Sequence, residues 1–274
     1  MKPLKFALSI GIYWLTLSWL IGRFPSGSRT ARIAGVAGTI SAAGLMSELG
    51  IINGFALGGE TSHFNASTPF HEAMWHTMAG SIMVVWVMTF LVAALLSRAQ
   101  LGDPARSLAI PAGAILALAG MALAFLMTGH QDDQFSDYQA VAGAHTVGLA
   151  DGGPGLPLLG WSTIGGDLRI PHFVGMRALQ VLPLFVLLLE VLAWKIPALR
   201  DADRRFRLVL LAVATFASTV ALLTFQALMG QSIVAPSGII LAGGIFLAIA
   251  VAISVVVIMR IRRSIRSDHK HNVG

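Results

Sequence analysis

Apolar residues in this chain fall in long unbroken blocks rather than in alternation with polar ones. The blocks run roughly from Phe6 to Gly22, Ile33 to Leu57, His71 to Ser97, Leu108 to Thr128, His172 to Trp194, Leu208 to Met229 and Gly238 to Met259. Each is long enough to cross about 30 Å of hydrocarbon at about 1.5 Å rise per residue. None shows the two-residue period of a barrel strand. Lipid offers no partner to open backbone groups, so helices are the forced choice. The expected fold is a single all-α integral membrane domain over residues 1–274 with about seven transmembrane helices. Six remain as the alternative, with Ile33 to Leu57 lying on the surface; a 25-residue block whose one ionisable group is Glu48 favours a span.

Composition agrees. Hydrophobic residues make up 55% of the chain and charged ones 12%, about half the charged share of a soluble domain. The basic balance, +6 with a pI near 10.5, calls for no nucleic-acid partner, because its distribution explains it. With seven spans and the N-terminus outside, the inner loops hold Arg23, Arg29, Arg32, Arg98, Arg106, Lys195, Arg200, Arg204, Arg205, Arg207, Arg260, Arg262, Arg263, Arg266 and Lys270, which is 15 of 19 basic residues. Lys2, Lys5, Arg169 and Arg177 stay outside. Cytoplasmic loops carry such an excess, so the expected location is a bacterial inner membrane with a basic cytoplasmic tail over 260–274 lying against anionic headgroups. With no cysteine there is no disulfide, thiolate ligand or cysteine nucleophile, and any metal must take other donors.

The longest polar stretch, about 129–171, crowds Gly and Pro between Gly143 and Pro171. That density suits tight turns rather than helix. Leu156, Leu158, Leu159, Trp161 and Ile164 supply apolar anchors, so the segment is expected to be an ordered extracytoplasmic lid packed down onto the helix ends.

KPLKFALS at Lys2 to Ser9, SHFN at Ser62 to Asn65, HTVG at His145 to Gly148, DGGPGLP at Asp151 to Pro157, and GGDLR followed by HF up to Phe173 resemble a family of bacterial multi-pass membrane proteins with no assigned activity. The resemblance covers most of the chain. It implies a seven-helix arrangement whose shared polar positions are Lys5, His63, His145, Asp151, Asp167, Arg169 and His172. In the relatives the position of Arg177 is often His, which weakens any scheme in which residue 177 ligates a metal.

Six of eight histidines, His63, His71, His76, His130, His145 and His172, fall at the expected outer face. A one-sided supply of imidazole suits a transition metal or haem, with His63, His145, His172 and His76 as candidate ligands. In HEAMWH, Glu72 and His76 share a helix face four residues apart. His130 with Asp132 and Asp133 reads as a solvated helix end, and His269 and His271 as part of the basic tail. Arg177, deep in the fifth span, needs a partner, and the outer carboxylates Asp151, Asp167, Glu60 and Glu72 are the candidates. Glu48 is the deepest ionisable group, expected to face the bundle with Asn53 and Gln226 near it, while Glu190 would pair with Lys195 or Arg207. Lys5, Glu48, Asp151, Asp167, Arg169 and Arg177 form the candidate substrate-binding set. A retinal protein is excluded, because the last span has no lysine for a Schiff base.

The leading expectation is therefore a membrane-embedded metal- or haem-binding protein, redox-active or not, with its site at the outer face. A small-molecule binding or transport protein and an accessory subunit of a membrane complex are the alternatives; beyond the bilayer itself, the expected partners are a second copy or that complex.

Overall fold

The structure is a computed structural model that describes residues 2–128, 141 and 143–260. His130, Asp132, Asp133, the first part of the 129–171 segment and the tail with His269 and His271 lie outside the described residues. The chain is an all-α multi-pass membrane protein. Its helices are α1 (Lys2–Ile21), α2 (Arg29–Leu57), α3 (Pro69–Leu96), α4 (Pro104–Ala122), α5 (Arg169–Met176), α6 (Ala178–Leu192), α7 (Ala202–Leu228) and α8 (Gly238–Arg260). Six of these, α4 counted with the 3-10 turn that extends it to Met127, are long and apolar enough to cross a membrane, and the bent pair α5–α6 makes a seventh segment. The 29-residue α2 is among the six, so the 33–57 block has the length and composition of a span.

Local chemistry sets the helix starts. Ser28, Thr68 and Asp103 accept hydrogen bonds from the first-turn amides of α2, α3 and α4 through their side chains, and Pro69 and Pro104 occupy first-turn positions where no amide proton is needed. The fifth span differs from its expected continuous form. It is bent by 42° at Arg177, where the Arg177 amide donates to the Val174 carbonyl in a tight turn.

Successive spans run up and down. One end carries the short links 22–28, 97–103 and 193–201, and with them nearly all the described arginines. Glu190 accepts two hydrogen bonds from Arg106, each 2.6 Å, and Asp103 accepts one from Arg205 at 2.6 Å. Glu190 thus pairs across helices with Arg106, not with Lys195 or Arg207, because residue 190 faces α4 rather than the following link. At this basic end, burial would raise the Asp103 carboxyl, but hydrogen bonds from Arg205 and from the Ala105 and Arg106 amides hold it below the usual carboxylate range.

The other end, the lid end, carries 58–68, 229–237 and the long segment before α5. There a two-residue antiparallel ladder pairs Thr146–Val147 with Gly166–Asp167. Between its strands a smaller hairpin runs from Pro154 to Thr163: Leu156 donates to Trp161 O at 2.8 Å and Thr163 to Pro154 O at 3.0 Å. The lid's apolar residues do not all pack downward. Leu158 is 77% and Ile164 59% exposed, while Leu156 and Trp161 are half-buried. The reason is the hairpin, whose tip lifts Leu158, with a left-handed φ of 65°, away from the helix ends.

Helices α4 and α5 cross at Gly120 and Gly175. A methyl group on Gly120 would overlap the Gly175–Met176 backbone, and one on Gly175 would lie 2.6 Å from Gly120 Cα. Only two glycines permit this approach, and it places His172 against α4.

Candidate functional site

An apolar cavity of about 270 Å³ lies between α1, α2, α3, α4 and α5 beneath the lid end. Its lower wall is Ile10, Leu45, Ile82, Val85 and Trp86. Glu48 stands at mid-depth, and Lys5, His63, Arg169 and His172 stand above it. Trp86 is 17 residues into α3, or about 25 Å along the helix, so the cavity reaches the middle of the apolar layer. Five methionines, Met78, Met83, Met121, Met127 and Met176, contribute to the lining. Met83 and Phe125 also line it while being 43% and 55% exposed on the outer surface. The cavity therefore reaches the lipid-facing side between α3 and the extended α4.

The polar groups are held individually. Glu48 is buried, and its Oε1 lies 3.9 Å from His63 Nε2. His63 is flanked by Phe6, Phe64 and Trp75, with ring centroids 5.5, 6.3 and 5.6 Å away. His172 Nδ1 donates to the Gly120 carbonyl at 2.8 Å. A carbonyl can only accept, so the neutral ring carries its proton on Nδ1 and keeps Nε2 as an acceptor. Tyr13 and Thr89 share a 2.6 Å hydrogen bond at the cavity floor.

Phe64 joins this site to the lid. It is buried at a φ of 60°, a costly backbone for a bulky residue, and its ring meets Trp75 and His145 at 5.1 and 5.0 Å between centroids. His145 itself is turned to the lid, where its Nδ1 donates to Asp151. The same carboxylate accepts from the amides of His145 and Thr146 and from the Thr146 hydroxyl. Burial would raise the Asp151 carboxyl, but the His145 side chain and these donors hold it well below the usual carboxylate range. Asp167, 1% exposed, likewise organises the lid: it binds Arg169 through both oxygens and accepts from the Ser162 amide at 2.8 Å.

The cavity lip and the hairpin share their fastenings. Lys5 Nζ donates to Leu159 O at 3.0 Å, Arg169 Nη2 to Gly160 O at 2.7 Å, and Trp161 stacks on Phe173 at 6.5 Å. Lys5, Arg169 and Phe173 all line the cavity.

Of the sequence-derived candidates, Lys5, Glu48, His63, Arg169 and His172 meet in this one cavity. Asp151, Asp167 and His145 support the lid instead. His76 does not join them: its side chain is 71% exposed and 3.8 Å from Glu72, too long for a hydrogen bond, because its helical position points away from the wall formed by Trp75, Met78 and Ala79. His71 binds Glu60 at 2.7 Å. Arg177 donates to Ser9 Oγ at 2.9 Å, and among the described residues no carboxylate forms an ion pair with it. Asn53 is exposed and Gln226 donates to Ser232 O at 2.8 Å, so neither lines the cavity. Among the described residues no group of three or more His, Asp or Glu side chains is placed to hold one metal ion. Ser9, Tyr13, Phe64, Trp75, Met78, Met83, Met121 and Met127 were not among the sequence-derived candidates, since they carried no signal beyond hydrophobicity or an isolated hydroxyl. Comparison of the chain with family models, with curated proteins and with solved structures finds no match.

Proposed function

We propose that this protein binds a small amphiphilic molecule drawn from the bilayer, with the apolar part in the methionine- and aromatic-lined cavity and the polar head among Lys5, His63, Glu48, Arg169 and His172. The cavity carries this reading. Its size, about 270 Å³, is near the lower end for ligand pockets, and its make-up, apolar walls with a few convergent polar groups, is what such pockets share. Its opening at Met83 and Phe125 gives a lipid-dissolved molecule a route that avoids water. The basic end faces the cytoplasm in this reading and the lid end faces outward, as the loop charges favour.

The test is binding of an environment-sensitive alkyl dye to purified protein in mild detergent. Wild type gives saturable one-site binding, and Ala79→Trp, at the portal, weakens it at least ten-fold; linear, unsaturable partitioning that Ala79→Trp does not alter would remove the reading.

A second reading has its own support. Five thioethers share the cavity lining with His63 and His172, residue types that suit a soft ion such as Cu(I), or haem through a His and a Met. Here His63 and His172 are the ligands, and His76 and His145 are not. Elemental analysis and an optical spectrum of protein purified without chelator test it: a stoichiometric metal or a Soret band supports it, and their absence leaves the amphiphile reading alone.

A further inference from the structure

The charges around the cavity are unequal, and this bears on the head group. Arg169 is neutralised by Asp167, whose two oxygens receive its guanidinium, and Glu48 faces His63. Two cations on the α1 side have no carboxylate match among the described residues. Lys5 lines the cavity, is exposed, and gives its ammonium to a neutral carbonyl, Leu159 O. Arg177, inside the bent span, gives its guanidinium to the hydroxyl of Ser9, and Ser9 lines the cavity four residues after Lys5, on the same face of α1. A guanidinium at membrane depth matched only by a hydroxyl among the described residues is costly, and such groups mark ion or substrate sites. Once Ser9 Oγ has accepted from Arg177, its own proton is available to an acceptor in the cavity.

We propose that the bound molecule has an anionic head, a carboxylate or phosphate, that seats along α1 between Lys5 and Ser9. This rests on the cavity being an amphiphile site. The anion accepts from Lys5 Nζ and Ser9 Oγ, with the Arg177 charge behind Ser9, and Lys5 gives up the Leu159 carbonyl for the stronger charged partner. The Lys5 fastening of the 154–163 hairpin is thereby released when ligand binds.

The experiment compares three fluorescent probes of equal chain length on the full chain in detergent: a fatty acid, an alkyl phosphate and the fatty acid's methyl ester. At least one anion is expected to bind about ten-fold tighter than the ester, the gain of a charge-assisted bond. Lys5→Gln and Arg177→Gln each remove most of that preference, read as a several-fold fall in the ratio of anion to ester affinity. Lys5 is exposed, so its variant keeps the test valid even if Arg177→Gln folds poorly. Wild type binding all three alike, or Lys5→Gln leaving anion affinity unchanged, overturns the head-group assignment while the cavity reading stands. Failure of all three probes to bind overturns both.

Discussion

Replacing Gly120 with alanine probes the contact that shapes the cavity's α4–α5 wall. The new Cβ would lie 2.5 Å from Met176 N and 2.6 Å from Gly175 Cα, against about 3.5–4.0 Å for an ordinary contact, so the helices must part by about 1 Å. Both obstacles are backbone and cannot rotate aside. Overpacking of this kind costs about 1–3 kcal/mol, and strain on the His172 Nδ1–H···O=C Gly120 bond adds about 1 kcal/mol. The sum, roughly 2–4 kcal/mol, corresponds to a melting shift of about 4–7 °C for a chain of this size. Gly50→Ala is the matched control: it too lies inside a helix, but nothing stands within 4 Å of its added methyl, so it is expected to be neutral or slightly stabilising. Detergent-solubilised melts of the two variants side by side measure the difference. Equal melting temperatures would mean that α4 and α5 do not touch at these glycines, and the wall built on them would be wrong.

Other outcomes follow from the same geometry. Glu190→Gln removes the charged acceptor of a two-pronged Arg106 bond, and because both groups are partly exposed the loss should be about 1–2 kcal/mol in the same melt; no shift would make the pair ornamental. Asp151 has a depressed carboxyl in the folded state, so its contribution is complete above the unfolded value near 4 and is lost as pH falls below it. Amide exchange of His145 and Thr146, corrected for intrinsic rate, should be alike at pH 7 and 5 and faster at pH 3, and Asp151→Asn should abolish that change; exchange that rises already between pH 7 and 6 would point to a different group. His63→Ala should weaken dye binding several-fold while His76→Ala leaves it unchanged, and equal effects would place the site elsewhere.

The membrane-spanning design was legible because hydropathy integrates over twenty residues and tolerates local error. The bend in the fifth span was not: Arg177 was visible as an anomaly, but its turn depends on Gly175 meeting Gly120, a contact 55 positions apart. Hydropathy also fails to tell inside from outside within lipid. Met78, 1% exposed, and Leu15, 75% exposed, are both apolar span residues, and only the packing separates a cavity wall from a lipid-facing surface. Polar residues gave a mixed signal. Glu48 read as a candidate because an ionisable group at membrane depth demands a reason, and His63 and His172 because they fall at one face and in shared motifs, whereas His76 shares the histidines' residue type and end of the molecule but not their direction. The lid's leucines were read as anchors, yet the Pro154–Thr163 hairpin turns Leu158 outward, a consequence of turn geometry that composition does not carry.

Photolabelling with a diazirine-bearing alkyl amphiphile in lipid nanodiscs, followed by mapping of the modified residues, tests the central claim most directly. Saturable labelling concentrated on cavity residues such as Ile10, Met78, Ile82 and Met121, and competed away by unlabelled probe, is the predicted result. Labels spread without competition over lipid-facing residues such as Leu15, Leu184 and Phe246 would contradict it.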